Sequence, residues 1–141
     1  MKIAFCLSLL LATVSLPTLA THGSWSDMAA GPQLSVGKQT YAGRSLRPAT
    51  PIPPGATLSR ISWRITLLSP SSGLEIKLCS ATACISLDRL AGQKAAPLPF
   101  SPAEELRFIY AVNTPGQLKP PVRVVSQHMT VNYHWPNPAD G

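Results

Sequence analysis

The sequence predicts an all-β protein, a small antiparallel β-sandwich with one hairpin disulfide. Only 13% of its 141 residues are charged, and it contains 15 prolines and 9 glycines. Apolar and polar residues alternate in several short segments, whereas no segment combines a helical period with helix caps. A low charge content, frequent turn residues and short alternating segments are together typical of a β-sandwich.

The first 20 residues have the pattern of a signal peptide. Lys2 is the charged start, residues 3–16 are an apolar core too short for a relaxed membrane span, and residues 17–20 end in the small side chains that a signal peptidase reads. The first of the three cysteines leaves with this segment, so an even pair remains. We therefore expect a mature chain of residues 21–141 that folds as one β-sandwich domain, without stable membrane insertion, in a compartment that permits disulfides.

The start of the mature chain predicts one strand, an anchor and a proline-rich crossing. Trp25 follows Gly23-Ser24 and is expected to dock the first strand, with stacking on a ligand as the alternative. Residues 33–41 are expected to form a strand with Leu34 and Val36 facing inward. Residues 44–54 contain four prolines, which lack the N–H donor that a central strand needs, so they predict a sheet edge or an irregular loop.

The segment from Leu58 to Leu67 contains the clearest alternation in the chain. One parity is apolar and belongs to the core face: Ile61, Trp63, Ile65 and Leu67. The other parity is polar and belongs to the exposed face: Arg60, Ser62, Arg64 and Thr66. This period of two indicates a strand with one buried face, and Trp63 is expected to pack against the opposite sheet.

Two further alternating segments predict a hairpin closed by Cys79 and Cys84. In the register that sets these cysteines opposite each other, the apolar residues of the two strands also match: Leu78 with Ile85, and Ile76 with Leu87. Directly opposite cysteines on the exposed face lie at a distance that suits a disulfide. A metal pair or a redox pair is the alternative, but the three histidines have no zinc-type spacing and redox pairs are usually closer in sequence.

The last third of the mature chain predicts a loop, three strands and a tail. Residues 90–102 are expected to be a loop from which Phe100 reaches the core. The predicted strands are residues 105–112, 121–126 and 128–135. The 105–112 strand turns Leu106, Phe108, Tyr110 and Val112 to one face. Residues 136–141 are polar and are expected to be disordered.

The residue content does not favour an enzyme or a cofactor-binding protein. The six acidic residues form no pair in a general acid and base pattern. The sequence contains no nucleophile elbow and no glycine-rich loop that would hold a phosphate. We therefore expect no catalytic residues, no cofactor and no metal site.

The excess of basic residues predicts a surface rather than a reaction centre. The formal net charge is +6. Arg60, Arg64 and Lys77 are expected to share the exposed face of a central sheet, with Arg107 as a fourth candidate. This face is interpreted either as a solvated surface that maintains solubility or as a binding site for an acidic protein or an anionic glycan. Nucleic acid is not expected as a partner of an exported protein.

The order and spacing of several short motifs resemble one family over nearly the whole mature chain. The motifs are Gly23-Ser24-Trp25, Leu46…Pro48, Trp63-Arg64, Pro70…Gly73-Leu74, Leu78-Cys79, Cys84…Leu87, Leu106-Arg107-Phe108, Pro115-Gly116, Leu118-Lys119-Pro120, Ser126-Gln127 and Val131-Asn132-Tyr133. In this order they resemble the FlhE family of flagellar proteins. This chain continues beyond the family pattern, from His134 to Gly141.

The resemblance implies a periplasmic accessory protein of bacterial flagellum assembly that affects swarming. It implies that the protein limits proton leak through the flagellar type III export apparatus, prevents premature assembly of flagellar subunits in the periplasm, or does both, and it leaves open whether these are one activity. Export-gate, rod or hook proteins are the implied partners, and no catalytic residue is carried over. The residues alone leave two alternatives. One is a glycan- or peptidoglycan-binding module that stacks sugars on Trp25, Tyr41 or Trp135, and the other is a protein that exchanges strands with a partner.

Overall fold

The computed structural model describes residues 21–136. The predicted signal peptide, and the predicted tail except for Pro136, lie outside the described residues. Between residues 21 and 136 the chain forms strands, bends and turns and contains no helix. The predicted all-β class is confirmed.

Nine strands make up the described part of the chain. They are β1 (Thr21–Ala29), β2 (Gln33–Val36), β3 (Tyr41–Ala42), β4 (Thr57–Leu67), β5 (Leu74–Cys79), β6 (Cys84–Leu87), β7 (Ala91–Ala95), β8 (Arg107–Val112) and β9 (Gln117–Trp135). A five-stranded sheet has the order β1-β9-β4-β7, with β2 also paired to β9, and a four-stranded sheet has the order β3-β8-β5-β6. All neighbouring strands are antiparallel.

The core lies between the two sheets, where the predicted apolar parities meet. Ile61, Trp63 and Ile65 of β4 are buried, as are Phe108 and Tyr110 of β8. The indole nitrogen of Trp63 donates a hydrogen bond to the carbonyl oxygen of Arg89 at 3.0 Å. The alternation in these two strands therefore predicted the inward faces correctly, because each strand has the core on one side only.

The hairpin of β5 and β6 has the predicted register. Leu78 pairs with Ile85, Ile76 pairs with Leu87, and Cys79 lies opposite Cys84, to which it is disulfide-bonded. The expectation that both cysteines are exposed is wrong, since only 7% of Cys79 is accessible to solvent. Strand β5 has a neighbour on each side, and Cys79 also lies opposite Arg107 of β8, whereas Cys84 belongs to an edge strand.

Removal of the disulfide is expected to weaken the fold without changing it. In the chain-entropy model a loop of this length contributes about 2 kcal/mol to the free energy of unfolding. The double variant Cys79→Ser/Cys84→Ser should therefore unfold at a lower urea concentration, with an unchanged slope of the transition. The wild-type protein under reducing conditions is the matched control and should show the same shift. A double variant that does not fold would show instead that the bridge is required for the whole fold.

The C-terminal strand departs from prediction because it contains a β-bulge. Residues 121–126 and 128–135 were expected to form two strands, since their inward residues have opposite parity. They belong to one strand, β9, in which Thr66 pairs with Ser126 while Leu67 pairs with Val124. The extra residue, Val125, shifts the parity, so that Val124 and Gln127 both face the core.

The bulge places a polar side chain between the sheets. Gln127 is fully buried, and its Oε1 accepts a hydrogen bond of 2.6 Å from the Tyr110 hydroxyl of the opposite sheet. Its amide nitrogen is buried without a hydrogen-bond partner. A side chain at Gly43 would overlap the Gln127 amide. Burial raises the pKa of the Tyr110 phenol, so this hydroxyl stays protonated and holds the two sheets together as a hydrogen-bond donor.

Two other segments differ from their predicted form. Residues 33–41 are not one strand, because β2 ends at Val36 and the chain crosses to the other sheet before β3. Part of the predicted 90–102 loop is the edge strand β7, which pairs with β4 although it contains no large apolar residue. Phe100 is buried, as expected, and residues 44–54 are irregular apart from a bridge between Leu46 and Leu106.

Candidate functional site

The predicted basic residues lie on two opposite faces of the sandwich. Arg60 and Arg64 are exposed on β4, in the five-stranded sheet, whereas Lys77 of β5 and Arg107 of β8 are exposed in the four-stranded sheet. The expectation that they share one face is wrong. Residues 68–73 carry the chain from one sheet to the other, so that the outward side chains of β4 and β5 point in opposite directions.

The outer face of the five-stranded sheet is assembled from directly paired residues, whose side chains share a face. We call it the polar face. It comprises His22, Ser24, Ser26 and Met28 of β1; Ser126, His128, Thr130, Asn132 and His134 of β9; Thr57, Arg60, Ser62, Arg64 and Thr66 of β4; and Ala91, Gln93 and Ala95 of β7. Eleven of these seventeen side chains carry a hydroxyl, an amide or a guanidinium group, three are histidines, and none is acidic.

The two arginines flank a row of uncharged polar side chains. Ser62 lies at its centre, paired with Thr130 on one side and Gln93 on the other. The row continues to Ser26, whose Oγ lies 2.7 Å from Oγ1 of Thr130. Arg60 and Arg64 lie on either side of Ser62 along β4. The arrangement is a broad surface of hydrogen-bonding groups with positive charge at two points.

Nearby acidic residues do not neutralise this charge. Asp27 is turned away from the polar face, and its carboxylate accepts a hydrogen bond from the backbone N–H of Arg47 at 3.1 Å and lies 3.9 Å from the Arg44 guanidinium. Asp88 lies 3.5 Å from Arg89 in the turn after β6. The polar face therefore keeps a positive potential that favours an acidic surface as its partner.

The outer face of the four-stranded sheet is electrostatically mixed. Lys77 lies two residues from Glu75 on the same side of β5. Arg107 donates a hydrogen bond of 2.7 Å to the hydroxyl of Ser45, in a small pocket that Glu105 also lines. These contacts hold Arg107 within the fold and reduce the net charge, so this face is the weaker candidate for an acidic partner.

The aromatic residues proposed for sugar stacking serve the fold. Trp25 is buried, and its indole nitrogen donates a hydrogen bond of 2.8 Å to the carbonyl oxygen of Pro102. The hydroxyl of Tyr41 accepts hydrogen bonds from the backbone N–H groups of Ser35 and Val36. Trp135 stacks on Tyr133 with ring centroids 5.7 Å apart. Trp25 thus has the contacts of the predicted anchor of β1, and these three rings do not form one exposed platform.

One open groove lies beside the two loops that connect the sheets. It has a volume of about 490 Å³ and is lined by both apolar and charged side chains, among them Leu67, Leu74, Leu87, Leu90, Asp88 and Arg89. Within residues 21–136, no three histidine, cysteine or acidic side chains lie close enough together to hold a metal ion. The same residues include no helix long and apolar enough to cross a membrane.

Sequence reasoning identified the two arginines but missed the residues around them. The polar residues of β9 recur at every second position from Ser126 to His134, which is the signal of an exposed strand face. That signal could have been read from the sequence. What could not be read was that β9 lies between β1 and β4, which brings all three histidines onto the face with Arg60 and Arg64.

Comparisons with known proteins agree over most of the chain. The family model for flagellar protein FlhE matches residues 31–134. Flagellar protein FlhE of Escherichia coli (strain K12) is 33% identical over 128 residues, which cover 88% of this chain and 97% of that protein. Flagellar protein FlhE of Salmonella typhimurium (strain LT2) is 31% identical over 81% of this chain and 87% of its own length. A crystal structure of FlhE superposes with a TM-score of 0.72 at 29% identity, covering 81% of this chain and 98% of that one.

Proposed function

This chain belongs to the FlhE family of flagellar proteins, and on that basis we propose that it is a periplasmic accessory of flagellum assembly that acts by binding another protein. The predicted signal peptide would deliver the chain to the periplasm, an oxidising compartment in which the bond between Cys79 and Cys84 is stable. The partner is a component of the flagellar export gate, the rod or the hook.

The polar face carries this proposal. It exposes Arg60 and Arg64 among uncharged hydrogen-bonding groups, and none of the side chains that make up this face is acidic. Arginine is enriched at protein interfaces because its planar guanidinium can bind a carboxylate with two hydrogen bonds. An acidic flagellar protein surface therefore fits this face better than it fits the mixed face around Lys77 and Arg107.

Binding through a face of the sandwich fits both activities of the family resemblance. A protein that covers the assembly surface of a rod or hook subunit would prevent premature polymerisation in the periplasm. A protein that binds the export gate from the periplasmic side would limit proton leak through it. The two activities differ in the partner that touches the polar face, so the identity of that partner decides between them.

Site-specific photo-crosslinking in the native periplasm tests the proposal. A photoreactive amino acid at Ser62 samples the centre of the polar face, and the same amino acid at Ser86 of β6 samples the outer face of the other sheet. We expect the probe at Ser62 to capture a flagellar export-gate, rod or hook protein, and the probe at Ser86 to capture much less of it. Equal capture by both probes, or capture of peptidoglycan alone at Ser62, would contradict the proposal.

Charge reversal on the polar face is expected to impair swarming without unfolding the protein. The double variant Arg60→Glu/Arg64→Glu places two carboxylates where an acidic partner binds, so repulsion should reduce crosslinking from Ser62 and shrink the swarm diameter. Both side chains are exposed, so the melting temperature should change by only a few degrees. The matched control Lys77→Glu/Lys119→Glu changes the charge equally away from the polar face and should swarm normally. Normal swarming by a folded Arg60→Glu/Arg64→Glu variant would exclude the polar face as the interface.

A further inference from the structure

Two histidines face each other at one end of the polar face. His22 of β1 pairs directly with His134 of β9, and their ring centroids lie 6.2 Å apart with an angle of 50° between the planes. His22 is exposed, and His134 is half-buried. Neither is used in the core or in the proposed contacts of Arg60 and Arg64. The two rings are open to solvent on the same side of the sheet.

We propose that this pair is the centre of a copper(II) site. Metal–nitrogen bonds of about 2.0–2.1 Å allow the centroids of two imidazoles bound to one ion to lie up to about 6 Å apart. The observed 6.2 Å lies at this limit, so the exposed His22 ring must rotate for both histidines to reach one ion. Paired residues of neighbouring strands are held by the ladder, so the backbone is already placed for this contact.

A neighbouring hydroxyl holds one of the two ligands in position. Oγ of Ser59 lies 2.6 Å from Nδ1 of His134, which leaves Nε2 of His134 free to bind a metal. Ser59 is the extra residue of a bulge in β4, since Leu58 pairs with Tyr133 and Arg60 pairs with Asn132. Hydrogen bonds of this kind fix the orientation of a ligating imidazole and raise metal affinity. The bulge therefore places a positioning residue beside His134.

The third ligand depends on the export proposed above. Removal of the signal peptide after residue 20 makes Thr21 the first residue and His22 the second. One peptide unit then separates the α-amino nitrogen of Thr21 from the His22 side chain, so this amine can supply a third donor to the same ion. Together with Nε2 of His134, the site offers three nitrogen ligands and leaves a position for water.

The ligand set and its surroundings select the metal. Three nitrogen donors suit copper(II), which sits at the top of the affinity order of the divalent first-row metals and prefers a square-planar arrangement of nitrogen and oxygen ligands. Magnesium and calcium require oxygen ligands, and no carboxylate is among the side chains that make up the polar face. Arg60 pairs with Asn132, two residues from His134, and its charge disfavours ions that are held only by electrostatic attraction.

Copper titration of the mature chain tests the site. A fusion cleaved directly before Thr21 yields the free α-amino group, and calorimetry and electron paramagnetic resonance with copper(II) give the affinity and the ligand type. We expect one ion per chain with nitrogen hyperfine structure. His22→Ala and His134→Ala should each lower the affinity at least 10-fold, and Ser59→Ala should lower it several-fold. His128→Ala removes the third histidine of the polar face and should leave the affinity unchanged.

Two outcomes overturn the proposal. The first is the absence of stoichiometric binding by the chain that begins at Thr21. The second is equal binding by wild type and His134→Ala, which shows that the N-terminus holds the ion without the opposite strand. A chain that begins at residue 16 retains both histidines but lacks the amine next to His22, and it should bind at least 10-fold more weakly. Crosslinking of the wild-type chain from Ser62 in the presence of a copper chelator tests the proposed function separately from the copper site.

Discussion

Gln127→Glu is expected to make the stability of the fold strongly dependent on pH. The substitution changes the shape of the side chain very little, yet it places a carboxyl group where the side chain is fully buried. We expect the free energy of unfolding to be about 3–4 kcal/mol lower at pH 8 than at pH 4.5, relative to wild type.

Desolvation of the introduced carboxyl determines why the variant loses stability as the pH rises. The interior disfavours the charged form of the introduced carboxyl, so its pKa in the folded state is raised by up to about 3 units above the value of about 4.3 for an exposed glutamate. Below the pKa of the unfolded state, the carboxyl is protonated in both the folded and the unfolded state. Its ionisation then has no effect on the stability of the variant. As the pH rises between the two values, only the unfolded state loses its proton and stability falls. The Tyr110 hydroxyl, which donates to this position, offsets part of the loss.

Urea unfolding at pH 4.5 and pH 8 measures this effect. Gln127→Met is the matched control, because it fills a similar volume and has no titrating group. It removes a buried amide nitrogen that has no partner, but it also removes the acceptor of the Tyr110 hydroxyl, so it should lower the free energy of unfolding by about 1–3 kcal/mol, equally at both pH values. If the Gln127→Glu transition shifts with pH no more than that of Gln127→Met, water reaches this position and the hydrogen bond between the sheets is not buried in solution.

Gly37→Ala is expected to lower the free energy of unfolding by more than about 3 kcal/mol. A Cβ at this position would overlap the backbone carbonyl oxygen of Thr114. Neither side can move easily, because the N–H of Gly37 donates to the carbonyl oxygen of Gly116 at 2.7 Å and the N–H of Lys38 donates to that of Val112 at 2.8 Å. This turn carries the chain from β2 in one sheet to β3 in the other, so the clash would disturb both sheets.

Gly55→Ala is the matched control for that substitution. Gly55 has a φ of +79°, and no atom lies within 4 Å of a Cβ built there. Its replacement introduces backbone strain of about 1–2 kcal/mol without a clash. Thermal unfolding of the two variants separates the effect of the steric clash at Gly37 from the effect of backbone strain at Gly55. Equal melting temperatures would contradict the tight contact between the turn after β2 and the turn before β9.

The alternation of apolar and polar residues predicted those parts of the fold in which a strand has one buried face and one solvent-exposed face. The alternation from Ile61 to Ile65 placed Trp63 in the core, and the hairpin of Cys79 and Cys84 has the predicted register. The edge strand β7 could not be found in this way, because Ala91 to Ala95 includes no large apolar side chain. Its pairing with β4, rather than its own composition, makes it a strand.

The sequence by itself determined the all-β class, the inward faces of the main strands, the disulfide and the family. These depend on side-chain periodicity over a few residues, or on the order of motifs along the chain. Only the tertiary structure decided which strands share a sheet, and therefore that Arg60 and Arg64 lie on one face while Lys77 and Arg107 lie on the other. The pairing of His22 with His134 was decided in the same way. Strand partners are chosen by contacts between residues far apart in the chain, and a period of two is the same whichever neighbour a strand has.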